Sequence, residues 1–305
     1  MMRKFLSTVI LFSISAYLIL ALLDVGYSRF AAKTNYRSYK YWTYLMEGTI
    51  EADVLAMGSS RIVKHFDPIV FDSITGVKSY NIGMDGAHIT DMLARYNLFK
   101  QRNPLPKVAL VNIDYFTLTD NRTKGKSQFF PWFIYRRFRK AVSFVRPFSF
   151  GQLYIPMYRY DIENFLRTLC ERGRPLEKGF DPINHPFDED AVNRSSLVFK
   201  ANPKFEPYLF QFLDILEEDG VRVVFMFSPW HDDAIAKAKT LGQMREYYSR
   251  IAGERGITLL DYTEMPFSSD TSYFFDAMHL NGRGAAVFTD SLARDFKRLH
   301  ILDFQ

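Results

Sequence analysis

Hydrophobic and polar positions follow two regimes along this chain. After Arg3 and Lys4 comes an uncharged run over residues 5–23, closed by Asp24. At about 1.5 Å per residue it is long enough to cross the core of a bilayer. Beyond residue 50 the apolar runs shorten and stop at glycine, hydroxyl or amide residues, which is how buried strands end. Such runs at 54–57, 77–82, 108–111, 221–227 and 257–260 predict five strands. Between them, helical spacing predicts helices over 65–75, opened by Asp67-Pro68, and over 90–100, 205–218 and 232–253, with an amphipathic one at 284–299. Alternating strands and helices specify a parallel sheet with helices on its faces and right-handed crossovers.

The alternation breaks over about residues 118–202, where Phe129-Phe130-Pro131-Trp132-Phe133 leads into Arg136, Arg137, Arg139 and Lys140. An insertion of this size exceeds an ordinary loop and needs structure or a partner of its own. Four uses fit it: packing on a membrane surface, docking another protein, lining the mouth of the active site, or forming a small satellite core.

The leading apolar run lacks the A-x-A-like site and the shorter core of a cleaved signal peptide, so it reads as a retained anchor. Basic residues flank it on both sides, Arg3 and Lys4 before, Arg29, Lys33, Arg37 and Lys40 after, so their count does not set the topology. As a signal-anchor it places the short amino terminus inside and the domain outside. The expected organisation is an anchor over 1–24, a juxtamembrane linker over 25–50 rich in Tyr, Lys and Arg, and a domain over 51–305 carrying the insertion.

Composition narrows the chemistry. With 305 residues, 48% of them apolar and 24% charged, the chain can bury a large core. A net charge of +5 reads as a mildly basic surface, and no nucleic-acid motif accompanies it. The single cysteine, Cys170, excludes an internal disulfide and a multi-cysteine metal site, and no histidine pair has metal-ligand spacing, so neither metal nor cofactor is expected.

The first strand ends at Gly58-Ser59-Ser60. A serine attacks only when a base takes its proton and a further group, usually a carboxylate, holds that base. Asp276-x-x-His279 supplies both parts, although a second Asp-x-x-His pair exists at Asp85 and His88. Ser60 has an alternative role as a helix cap. Ile62 stands where a G-x-S-x-G elbow needs its second glycine, which argues against a standard α/β-hydrolase. After the second strand, Asn81-x-Gly83-x-x-Gly86 lets backbone N–H groups approach a developing oxyanion, and lacks the pattern of a nucleotide loop.

Taken jointly, in this order and spacing, these segments resemble the SGNH (GDSL-type) hydrolase superfamily. The resemblance implies a flavodoxin-like three-layer α/β/α fold, with Ser60 as nucleophile, His279 as base and Asp276 orienting it. It also implies oxyanion donors from the Ser60 N–H, Gly86 and an asparagine after the third strand. There the sequence reads Val111-Asn112-Ile113-Asp114 in place of G-x-N-D, so either Asn112 serves after a local shift or the third donor is missing. Ser59 and the anchor resemble the membrane-bound subgroup that includes D-alanyl-lipoteichoic acid transfer and alginate O-acetylation proteins. The expected function is therefore a serine esterase or O-acyltransferase on an acylated polysaccharide or glycolipid, single-pass in a bacterial inner membrane with its domain facing the periplasm or exterior. The alternative is a non-catalytic accessory protein of the same fold that binds glycan or a membrane-bound O-acyltransferase.

Overall fold

The computed structural model describes residues 1–34, 36, 39–119, 126–145, 147–171, 173–189 and 197–303. Arg37 and parts of the 118–202 insertion lie outside them. In chain order, α1 (Met2–Ala32) and α2 (Lys40–Glu47) precede β1 (Val54–Met57), α3 (Ser60–His65), α4 (Pro68–Thr75), β2 (Ser79–Asn81), α5 (Ile89–Phe99) and β3 (Val108–Asn112). The insertion holds a 3-10 helix (Lys126–Ile134), α6 (Arg136–Val142), α7 (Phe150–Tyr154) and α8 (Ile162–Cys170). Then follow α9 (Glu206–Glu218), β4 (Arg222–Phe227), α10 (Asp232–Lys237), α11 (Leu241–Arg255), β5 (Thr258–Asp261), β6 (Phe274–Asp276), β7 (His279–Leu280) and α12 (Gly282–Arg298).

The chain divides into two compact units, one of residues 1–43 with 122–175, the other of 44–121 with 176–305. In the second unit the five long-range strands pair in parallel in the order β2-β1-β3-β4-β5. This is the doubly wound order of flavodoxin-like sheets, whose switch point lies at β1 and β3. The expectation of an α/β fold with a central parallel sheet is met. β1 and β3 are buried along their whole length, as continuous apolar runs in a parallel sheet must be. Helices flank the sheet in two groups, α12 packing on α3 and α4, and α5 on α9. Phe66, Phe71, Phe288 and Phe296 are fully buried in this unit, each contributing about 1.5–3 kcal/mol by burial.

The first unit has its own core. Trp42 packs on Phe129 and Phe138, with ring centroids 5.2 and 5.0 Å apart. Phe129, Phe130, Trp132, Phe133 and Phe138 are all buried, so the aromatic stretch of the insertion forms the satellite core, one of its four expected uses. α1 is a helix long and apolar enough to cross a membrane, and its apolar part is unburied. Past Asp24 it turns into the unit: Tyr27, Ser28 and Ala31 are buried.

Two sequence expectations change. The helix expected over 232–253 is two helices, separated at Ala238–Thr240, where the Thr240 hydroxyl accepts from the Phe199 N–H at 2.6 Å. The stretch over 262–275, for which the sequence predicts no element, ends in the antiparallel β6–β7 pair, which carries Asp276 and His279.

Candidate active site

β1 delivers Gly58 to the edge of the sheet, and the turn into α3 follows from the packing there. Gly58 has φ +154, a region that side chains avoid, and a Cβ on it would lie 2.9 Å from Asn112 Cβ. Ser59 caps α3: its Oγ accepts from the Arg61 N–H at 3.3 Å and donates to Asp114 Oδ2 at 2.7 Å. Ser60 is thereby set as the first residue of α3, half-buried, with its hydroxyl outward from the cap. The capping role considered for Ser60 falls to Ser59.

Ser60 Oγ lies 2.9 Å from His279 Nε2, and His279 Nδ1 lies 3.0 and 3.1 Å from the two oxygens of Asp276. Asp276 Oδ1 also accepts from the Met278 and His279 N–H groups at 2.7 and 2.8 Å. Burial pushes the Asp276 carboxyl up, but these hydrogen bonds and the imidazole outweigh it and hold it below the usual carboxylate range. An ionised Asp276 only accepts, so the proton of His279 resides on Nδ1 and Nε2 presents a lone pair to the Ser60 hydroxyl. That tautomer is the one a general base needs.

Behind this chain stands a second imidazole that the sequence reading missed. His65, at the end of α3, has no exposed surface, and its Nε2 accepts from the Leu280 N–H at 3.0 Å. Its ring meets that of His279 edge-on at 6.2 Å. β7 is thus tied to the helix that carries Ser60.

Arg61 was also missed. Its guanidinium, 2% exposed, pairs with Asp114 at 2.6 Å, donates to the Ser228 and Pro229 carbonyls, and lies 5.0 Å over the Trp230 ring. Burial lowers its pKa, and the Asp114 charge opposes the shift. The only local signal was its position next to Ser60, because its partners lie 53 or more residues away in sequence.

The turn after β2 is built by Asn81, whose amide donates to the Ile62 and Phe66 carbonyls and accepts from the Gly83 N–H. Gly83 is required there, since a Cβ would lie 2.3 Å from Ile62. The Met84 N–H donates to the Gly58 carbonyl at 3.1 Å, which lays this turn beside the Ser60 turn. Gly86 follows in a left-handed conformation, exposed to solvent. His88, of the second Asp-x-x-His pair, sits at the start of α5 and its Nδ1 donates to the Phe116 carbonyl at 2.9 Å.

The structure does not bring Asn112 to the Ser60 hydroxyl. Asn112 is fully buried, pairs with Met226 in the sheet register, and donates its amide to the Met226 carbonyl at 3.1 Å. A side chain without exposed surface has no access to a reacting group, and Asp114, two residues on, faces Ser59 and Arg61 instead. Of the two alternatives at this position, the local shift is not what the fold adopts.

Ser60 and His279 open on a cavity of about 190 Å³, walled by Tyr115, Leu197, Ala234 and Met278. Pockets for drug-sized ligands span about 300–1,000 Å³, so this one has room for a small group rather than a long chain.

No protein-family model matches the sequence, and no curated protein does. Among solved structures, the chain is similar to a protein assigned to the G-D-S-L lipolytic family from Desulfitobacterium hafniense, at 10% identity and TM-score 0.40 over 80% of this chain and 99% of that one. It is similar to a GDSL-like lipase from Bacteroides thetaiotaomicron at 12% identity and TM-score 0.41, over 85% and 98%. A third likeness is to an active-site mutant of a family two carbohydrate esterase from Clostridium thermocellum, at 8% identity and TM-score 0.37, over 82% of this chain and 64% of that one.

Proposed function

We propose that this chain is a membrane-anchored serine esterase or O-acyltransferase of the SGNH type, acting on an acylated cell-envelope glycan or glycolipid. The observation that carries the reading is the hydrogen-bonded chain from Ser60 through His279 to Asp276 at the mouth of a small cavity. His279 Nε2 takes the hydroxyl proton as Ser60 Oγ adds to the acyl carbonyl. The Ser60 and Gly86 N–H groups stabilise the oxyanion. As the intermediate collapses, His279 returns the proton to the departing alcohol and an acyl-serine remains. Water or a sugar hydroxyl, deprotonated by His279, then attacks that ester and releases an acid or a newly acylated sugar. With the Asn112 amide donated to Met226, this reading counts on two backbone donors, and loss of one donor typically lowers kcat about 100- to 1,000-fold, so slow turnover is part of the reading. α1 anchors the chain in a bacterial inner membrane with the domain on the periplasmic or outer side.

The second reading, a non-catalytic accessory protein that binds glycan or a membrane-bound O-acyltransferase, draws on the same Asn112 placement. A fluorophosphonate probe on the detergent-solubilised full chain separates the two. The enzyme reading expects labelling of the wild type, none in Ser60→Ala, and labelling slowed about 1,000-fold or more in His279→Ala. Equal labelling of wild type and Ser60→Ala removes Ser60 from the mechanism. An inert wild type that still binds glycan or a membrane partner favours the accessory reading.

A further inference from the structure

α8 presents three distinct faces. Its inward side carries Thr168, buried, and Phe165, whose ring lies 4.5 Å from that of Tyr27 on α1. At about 100° per residue, Ile162, Leu166 and Leu169 align on one stripe, and they are 73%, 52% and 46% exposed. Glu163, Arg167 and Glu171 form another stripe, joined by ion pairs at 3.0 and 3.3 Å. An apolar stripe facing away from the core has no role in packing the unit. The segment just before it also exposes aromatic rings: Phe150, Tyr154 and Tyr158 are 72%, 54% and 63% exposed, with the Arg139 guanidinium 5.7 Å over the Tyr154 ring. The Tyr158 ring lies flat over Gly151, where a Cβ would come within 2.6 Å of it.

The position of this surface along α1 identifies what covers it. Arg159 pairs with Asp24 at 2.6 Å, Tyr160 OH lies 2.7 Å from Ser28 Oγ, and Tyr27 packs on Tyr160. Asp24 follows directly on the last residue of the apolar run, and Ala31 lies about 10 Å further along the helix. A bilayer with a core of about 30 Å and a full thickness of 40–45 Å has headgroup layers of roughly 5–8 Å. The first unit therefore grips α1 at headgroup level. Exposed tyrosines and a stripe of Ile and Leu are the side chains that settle there, and the exposed Arg136, Arg137 and Lys140 of α6, in the same unit, suit anionic headgroups.

We propose that the outward face of α7 and α8, from Phe150 to Leu169, docks on the membrane interface beside α1, so that the first unit is held to the lipid surface as well as tethered to it. The inference rests on reading α1 as the membrane span, and the experiment keeps the two apart. The full chain is reconstituted in vesicles of phosphatidylethanolamine and phosphatidylglycerol. In a Cys170→Ser background, single cysteines at Leu166→Cys, Arg167→Cys and Leu18→Cys carry an environment-sensitive fluorophore. Nitroxide lipids labelled near the headgroup or deep in the acyl chain quench it. Docking expects quenching at position 166 by the shallow nitroxide at least about two-fold stronger than at 167, while position 18 responds to the deep one. Quenching at 18 with none at 166 overturns the docking face and leaves the anchor standing, as does equal, weak quenching at 166 and 167, the result for a face that meets water or another protein. No quenching at 18 removes the span, and with it this inference.

Discussion

At position 65 an imidazole is enclosed with its Nε2 accepting from Leu280 and its proton on Nδ1, which has no partner among the described residues. Burial, then the charge of Arg61 and the neighbouring His279, hold its pKa well below 6.5. The unfolded chain takes up a proton near pH 6.5 and the folded one does not, so the unfolded state binds more protons and stability falls as the pH drops below 6.5. The slope is about 1.4 kcal/mol per pH unit until the folded-state pKa is reached. Asp276 works in a separate window: its pKa is depressed, so its contribution is present above the usual carboxylate range and is lost only as the pH falls through the lowered value. His65→Gln retains an acceptor for Leu280 and cannot ionise. Its urea-denaturation free energy between pH 7.5 and 5 is expected to fall less steeply than that of the wild type, by about the slope given. Equal slopes in the two proteins would exclude His65 as the source. Nothing local in the sequence marks this residue, because its partners lie 215 residues away and it falls in a stretch whose pattern predicts only a short helix.

The ends of four elements meet at Arg61. Through Ser59 and Asp114 it joins the β1–α3 turn to the segment after β3, and through Ser228, Pro229 and Trp230 to the end of β4. Both charges are almost wholly out of water, so each is tolerable only beside the other. Arg61→Met strands Asp114 and two carbonyls, and is expected to destabilise the second unit by about 3–5 kcal/mol. Combining it with Asp114→Leu removes the stranded charge and is expected to recover a large part of that loss. Thermal denaturation of the two single variants and the double one gives the coupling, and strictly additive losses would rule out the pair as the joint. The elements themselves were legible: five strands and most helices follow from apolar runs and Pro or Gly punctuation that act within a few residues. What escaped was set by distant partners. α3 has six residues, of which only His65 falls in the helix expected over 65–75, the break at Ala238–Thr240 answers to Phe199, and the amide of Asn112 answers to its register partner Met226. The Ser60, His279 and Asp276 pattern could be read because a strand end and an Asp-x-x-His spacing each fix their side chains locally.

For the whole molecule, the leading apolar run was plain in the sequence, whereas the joining of residues 1–43 with 122–175 in one unit was not, since it depends on contacts such as Trp42 with Phe129. This arrangement means that α1 has two parts with different surroundings: the apolar run up to Leu23 is unburied in the folded chain, and beyond it Asp24, Tyr27, Ser28, Ala31 and Ala32 are packed by protein. If the exposed half lies in lipid, its centre is where a charge costs most, about 2.5–3.5 kcal/mol for each arginine. Replacing Ile10 and Ile14 together by Arg then weakens insertion by about 5–7 kcal/mol, roughly 10,000-fold in partition. The packed half and the parallel sheet are untouched by these changes, so fluorophosphonate labelling at Ser60 and the near-ultraviolet circular dichroism of the variant should match the wild type. The measurement is the fraction of the full chain that resists extraction from membranes by alkaline carbonate. It is expected to be nearly complete for the wild type and nearly nil for the doubly substituted chain. Resistance unchanged by the two arginines would mean that some other surface holds the protein to the bilayer and that α1 does not span it.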